Sequence, residues 1–177
     1  MDPLKQYEIA FVGLKTGIHP FTFEVDEVFF ESFSGTLVKN AKCKVDVKLD
    51  KRSTFFLLHF YFEGKVHLPC DRCGSELDYP LDNEYTIVVK FDEHRDEEKD
   101  DSNADVIYIS HHDSVLNVAQ LIYEFISLSI PLNHINCDNL KENKPCDKDV
   151  LDRLKKNAAL KHEADHRWDN LTNIKFN

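Results

Sequence analysis

Between Lys42 and Leu49 apolar and polar residues alternate without a break. Cys43, Val45, Val47 and Leu49 share one side; Lys42, Lys44, Asp46 and Lys48 share the other. A period of two belongs to a strand, and one dry face with one wet face marks an antiparallel sheet. Thr54–Phe62 is almost wholly apolar and predicts a central strand, with Gly64 as a bulge or bend and Lys65–Leu68 continuing it. Tyr7–Val12, closed by Gly13, predicts a first strand. A turn around Gly17 leads into Phe21–Val25, where Phe21, Phe23 and Val25 share a side. Glu84–Phe91 and Val106–Ile109 complete the strands.

Helical spacing appears in fewer places. Asp26 can cap a short turn running into Phe33. Val115, Val118, Ala119, Ile122, Phe125, Ile126 and Ser129 recur at helical intervals, with Asp113 or Ser114 as cap and Pro131 as stop. A short helix is expected from Asp147, and a last amphipathic piece over Ala164–Phe176 carries Trp168, Leu171 and Ile174. The elements predict an α+β fold: a mainly antiparallel sheet packed by one long helix, Ser114–Ser129, with a cysteine-containing C-terminal extension. The division expected is one α+β domain over residues 1–132, holding an acidic loop at 92–105, then the extension at 133–177.

Composition adds to this picture. Thirteen Phe against one Met in 177 residues point to a stiff aromatic core. The net charge of −10 argues against indiscriminate nucleic-acid binding over the whole surface. Its distribution is uneven. Asp92–Asp105 holds eight acids and two bases, whereas Lys39–Arg52 holds six bases and two acids. The first of these reads as a solvated connector. The second puts Lys42, Lys44 and Lys48 on one strand face, with Lys39, Lys51 and Arg52 near its ends, which suits either RNA phosphates or plain solvent. Arg153, Lys155, Lys156 and Lys161 form a weaker basic stretch, read as a solvated helix face. No apolar run approaches the ~20 residues of a membrane span, and the N-terminus has no signal-peptide pattern. A cytoplasmic, reducing setting is expected, in which the five Cys stay reduced or ligate metal.

Cys70 and Cys73, with Asp71 and Arg72 between them, carry the sharpest candidate chemistry. A structural Zn2+ site needs four ligands. Cys137 and Cys146 can supply the other two, with His134 and His67 as substitutes, though eight residues separate the second pair. The competing reading is a tight turn with two unligated thiols. Redox catalysis lacks its usual setting, since Gly74 and Pro80 make poor helix sequence where a thiol-activating helix should begin. Arg72 is expected on an exposed turn, facing phosphate, a partner's carboxylate, or water. Cys43 points inward as a small hydrophobe. His111 and His112 are adjacent on extended chain and point apart, so Asp113 as a cap fits better than a metal cluster. No Gly-rich phosphate loop, HExxH or nucleophile triad motif occurs, and no small-molecule substrate is indicated.

At the cysteines the chain becomes recognisable. VHLPCDRCGSELDYPLDNEYTIVVKF (Val66–Phe91) resembles the YceD family of large ribosomal RNA subunit accumulation proteins. LKTGIHPFTFEVDEVFFESF (Leu14–Phe33), LNVAQLIYEFISLSIPL (Leu116–Leu132) and DHRWDNLTNI (Asp165–Ile174) resemble further segments of that family. Within these, Ile130 stands where Leu is usual and His166 where Pro is usual. The resemblance implies a small cytoplasmic, non-enzymatic factor that supports large-subunit rRNA by binding rRNA, a ribosomal protein or an early precursor particle. It singles out Cys70, Arg72 and Cys73, and more loosely Cys137 and Cys146. The alternative function is a zinc-stabilised protein–protein adaptor without direct RNA contact.

Overall fold

The computed structural model describes residues 3–34, 38, 40–92, 105–133 and 147–159. Its centre is a five-stranded sheet of order β2-β3-β4-β5-β6, formed by β2 (Gly17–Val25), β3 (Asn40–Lys51), β4 (Phe55–Pro69), β5 (Glu76–Phe91) and β6 (Val106–Ile109). The first four are antiparallel neighbours, and β6 joins β5 in parallel. A parallel neighbour needs a connection of about a dozen residues or more to carry the chain back. The acidic stretch between Phe91 and Val106 is that connection. Its residues 93–104, and with them most of the expected acidic loop, lie outside the described residues.

Alternation decides which face of the sheet is dry. Phe23 and Val25 on β2, Val45, Val47 and Leu49 on β3, and Phe56, Leu58, Phe60 and Phe62 on β4 are all buried. What covers them is not one long helix. Val115–Asn117 forms a strand, β7, paired antiparallel with β1 (Glu8–Ala10), and the helix α2 runs only over Ala119–Ser129. The reason is local. Asp113 accepts a hydrogen bond from the Ser110 N–H at 3.0 Å, closing a turn there, and the side-chain carbonyl of Asn117 accepts from Ala119 N–H at 2.9 Å at the true helix start. Val115, expected on the buried helix face, is instead 38% exposed. Pro131 follows the helix end as expected. The β1–β7 ribbon, α1 (Glu27–Glu31) and α2 together cover the inner face in one aromatic core. Phe125 of α2 stacks on Tyr85 at 4.6 Å and meets Phe60 edge-on at 5.2 Å; Phe11 beyond β1 meets Phe56 at 5.1 Å. Asp26 caps α1, accepting from Phe29 N–H at 3.2 Å.

Several strands are longer than the sequence suggests: β2 begins at Gly17, where a turn is expected, and pairs there with Lys51 at the end of a longer β3. β4 runs straight through Gly64, which pairs with Cys43 on one side and Leu81 on the other, so there is no bulge. Glycine is required for space: a Cβ there would lie 2.3 Å from the Lys42 carbonyl oxygen and 2.4 Å from Cys43 Cβ. β5 begins at Glu76, not Glu84, and includes Pro80. Val88 N–H bonds to Asp105 O, so the even-numbered residues of β5 turn their N–H and C=O groups away from β4. Pro80 belongs to that set, and its missing donor therefore costs no bond in the β4–β5 ladder.

The first strand is shorter than predicted, because Pro3–Tyr7 forms a 3-10 turn that buries Tyr7 and lets its hydroxyl donate to Glu24 O at 2.8 Å. A third helix, α3 (Lys148–Ala159), follows Asp147, whose carboxylate accepts from the N–H groups of Asp149 and Val150 at 2.9 and 3.1 Å. The segment Leu132–Cys146 is described only at its first two residues, and Ala164–Phe176 lies outside the described residues. No helix among the described residues is long and apolar enough to cross a membrane.

Candidate functional site

The β4–β5 hairpin turns at Cys70-Asp71-Arg72-Cys73-Gly74-Ser75. Two bonds close it: Cys70 N–H donates to Ser75 O and Gly74 N–H to Cys70 O, both at 2.8 Å. Gly74 holds φ at 74°, a left-handed conformation that a side chain would strain. The turn points the cysteines inward and Arg72 outward. Cys70 and Cys73 are 2% and 5% exposed and pack with Leu77 against Val150 and Leu151 of α3. Arg72 is exposed, as the sequence predicts. The turn joins two strands, so the cysteines do not open a helix of their own; the first turn of α3 reaches them through Val150 and Leu151. Two buried cysteine side chains, with two residues between them on one tight turn, suit half of a tetrahedral metal site. Cys137, Cys146 and His134 lie outside the described residues, and no cluster of three metal-binding side chains forms among the described ones. His67, named as a substitute ligand, faces the sheet's outer side, where Asp78 and Glu76 lie 2.9 and 3.4 Å away.

The third described cysteine differs. Cys43 sits on the inner side of β3 opposite Gly64, and burial pushes its thiol up to about 12. It is inert at neutral pH.

The basic strand is less basic than its sequence. Lys42, Lys44 and Lys48 do share the outer face of β3. Lys44, however, donates to Asp46 at 2.7 Å, which raises the ammonium pKa and lowers that of the carboxyl. Lys51 turns inward, donating to the carbonyls of Phe11 and Leu14 at 2.8 and 2.9 Å, and so serves the fold. Arg52 pairs with Asp50 at 3.0 Å and lies over the Phe55 ring. Lys39 lies outside the described residues, and Lys42 and Lys48 are exposed. Of the C-terminal basic group, Arg153, Lys155 and Lys156 are exposed on α3.

Register supplies what the sequence could not. On the outer face Lys42 stands opposite Lys65, and Glu63 stands opposite Asp82. Next to these, Tyr61 pairs with Glu84 across the ladder and its hydroxyl donates to Asp82 at 3.1 Å, which raises the tyrosine pKa. Lys65, Glu63, Asp82 and Glu84 were not singled out beforehand. The only available signal was the alternation continuing through Pro80, which locates the faces but not which residues meet across them.

His111 and His112 do not share a ligand cluster. His111 stacks on Phe91 at 5.0 Å, and both histidines are exposed.

No curated protein and no solved structure matches the chain. The YceD family profile, described as large ribosomal RNA subunit accumulation protein YceD, matches residues 58–175. The match begins inside β4, so it takes in the cysteine turn, β5, β6 and α2, and leaves β3 with its lysines outside. With well over half of its 177 residues matched, including the Cys70–Cys73 hairpin whose geometry is given above, the chain belongs to the YceD family.

Proposed function

We propose that the chain is a non-enzymatic factor that supports accumulation of large-subunit rRNA by binding rRNA within an early ribosomal precursor. The observation that carries this reading is the exposed outer face of the sheet, where Lys42 stands opposite Lys65 and Lys48 lies farther along the same strand. Cross-strand ladders favour opposite charges, by about 0.2–1 kcal/mol per pair. Lys42 against Lys65 departs from that preference, although Asp78 lies 3.8 Å from Lys65, and the departure supports a role for the pair beyond the fold. The family description supports the same direction, since it names accumulation of the large ribosomal RNA subunit and no reaction. Arg72, Lys42 and Lys65 gather toward the cysteine-turn end and Lys48 lies farther along β3; these are the groups assigned to phosphate. Lys44 contributes least, because Asp46 already holds it.

The test replaces Lys42, Lys48 and Arg72 by Glu in cells that lack the wild-type chain. Large-subunit rRNA should fall relative to small-subunit rRNA while the purified variant keeps its far-UV spectrum. Its binding to large-subunit rRNA fragments should weaken, with a shallower salt dependence. An unchanged rRNA ratio sinks the reading.

A zinc-stabilised adaptor without direct RNA contact is the second reading, and the buried cysteine turn favours it. Cys70 and Cys73 are paired in this reading with Cys137 and Cys146. Cys146 immediately precedes Asp147, and four residues connect it to Val150, which packs on the turn. Four residues span at most about 14 Å, so chain length permits the pairing. Zn2+ at such a site contributes folding energy and no chemistry. Metal analysis of the purified protein checks it. The expected outcome is about one Zn2+ per chain, lost in Cys70→Ser/Cys73→Ser together with thermal stability. A metal-free protein of unchanged melting temperature eliminates the site.

A further inference from the structure

Among the described residues, β5 has a strand on its second side only over its last four residues. Val88–Phe91 pairs with β6, while from Glu76 to Ile87 its only strand partner among the described residues is β4. The Val88 N–H bond to Asp105 O fixes the direction of the backbone. Asp82, Glu84 and Thr86 lie in the same alternate set as Val88, so each presents one N–H and one C=O to the uncovered side. Pro80 ends this run, which leaves a docking length of about five residues between the proline and β6.

Charge narrows what can dock there. The exposed carboxylates of Asp82 and Glu84 line the edge on the outer face, with Glu63 directly across from Asp82. On the inner face the half-buried ring of Tyr85, one side of it stacked on Phe125, borders the run beside Asn83, and the half-buried ring of Tyr79 lies just past Pro80. The chain's own neighbouring sequence is mismatched to this edge: residues 93–104, which lead into β6, hold six acids and two bases. Nucleic acid fits poorly, since phosphates are repelled by the carboxylates and cannot complete a peptide ladder. An extended peptide alternating Lys or Arg with apolar residues meets every feature at once. Its backbone continues the ladder, its cations face Asp82 and Glu84, and its apolar side chains face the tyrosines.

We propose that the Asp82–Thr86 edge of β5 captures an extended basic segment of a partner protein as an added strand. The inference deepens the proposed function by giving one precursor component its chemistry, and it rests on that reading only for the partner's place in ribosome assembly.

The test is a titration of the purified full chain with a short peptide alternating Lys and Ile, followed by residue-resolved amide exchange. Binding should slow exchange at Asp82, Glu84 and Thr86 and leave Leu81, Asn83 and Tyr85, which face β4, unchanged. Asp82→Lys/Glu84→Lys should weaken binding at least about tenfold, since two favourable charge contacts become repulsive. Thr86→Pro should also weaken it, by removing one outward donor. If a charge-reversed protein fails to fold, the milder Asp82→Asn/Glu84→Gln serves, with a smaller loss expected. The proposal is overturned by undiminished binding to these variants or by protection that falls elsewhere. Equal binding of a Glu/Ile peptide, protection of this edge by an RNA oligonucleotide, or no binding at low salt also overturns it. The rRNA ratio is a separate measurement, so a failed titration leaves the proposed function standing.

Discussion

The two faces of the central sheet are built from the same strands, one residue apart, and obey different rules. On the inner face Phe60 and Phe62 are about fully buried, at 1% and 0% exposure, in contact with Phe125 and Tyr85 from other elements. Between them Tyr61 points outward, 43% exposed, among Asp46, Asp82 and Glu84. Inward positions agree with their neighbours in size and polarity, and no buried side-chain nitrogen or oxygen among the described residues lacks a partner. Outward positions mix like pairs, Lys42 against Lys65 and Glu63 against Asp82, with opposite ones, Lys44 against Glu63 and Lys65 beside Asp78. The inner face is optimised for folding. The outer face carries the exposed charges on which the proposed function rests.

Substitutions on neighbouring residues test the contrast most strongly. Phe60→Ala should cost about 3–5 kcal/mol in denaturant unfolding, from lost burial and the cavity left behind. Tyr61→Ala, one residue along, should stay within about 1 kcal/mol. Similar losses at the two sites would mean that the outer face is structural too. Gly64→Ala comes next. The added methyl has no room between Lys42 and Cys43, so a loss of about 1–3 kcal/mol is expected, read as a lower thermal midpoint. A neutral result would show that the β3–β4 pair can part at this point.

The inner face also sets the response to alkali. Burial raises the Cys43 thiol from 9.0 and the Tyr7 hydroxyl from 10.0 to about 12 each. For a raised folded pKa, the stability present below the unfolded value is lost as pH climbs toward the folded one. Unfolding free energy should therefore hold steady up to about pH 9 and then decline, by on the order of 1 kcal/mol near pH 10. Cys43→Val, which lacks the ionisable thiol, should flatten most of that decline. Equal slopes in wild type and variant would place the alkaline sensitivity elsewhere.

How legible this was in the sequence depends on which link is asked about. The alternation of Lys42–Leu49 identified β3 and its faces, and the apolar Thr54–Phe62 run identified β4 as central. These are signals internal to one strand. Features that depend on a distant partner were missed. The spacing of Val115 suits a helix, but the N-terminal strand Glu8–Ala10 recruits it into a ribbon, and no local pattern reveals that. The local pattern predicts β5 only from Glu84, and that the strand starts at Glu76 and runs through Pro80 depends on register, which turns the proline's missing N–H outward. Gly64 looked like a bend, yet the cause of the glycine is Cys43 on the adjacent strand, 21 positions earlier. The candidate site divides in the same way. Cys70, Arg72 and Cys73 were legible as a local motif, and the turn presents them as expected. Lys65, Glu63, Asp82 and Glu84 acquire meaning only from whom they face.

The smallest expected effect gives the finest test, because stability and function should move in opposite directions. Lys42 faces Lys65 across the β3–β4 ladder, and β2 ends at the position beside Cys43, so among the described residues Lys65 is its only directly opposite strand partner. Lys42→Glu turns a repulsive pair into an attractive one and should stabilise the fold by about 0.2–1 kcal/mol at low salt, with the gain fading as salt screens it. The same change removes a phosphate-facing cation and adds an anion, so rRNA binding should fall while the melting temperature rises. A purely structural lysine predicts a different pairing of results: higher stability with binding and rRNA levels untouched. If Lys42→Glu is instead destabilising, the two lysines are not close enough across the ladder to repel. The like-charge pair then loses its status as a marker of function, and the argument for phosphate contact would rest on Lys48 and Arg72 alone.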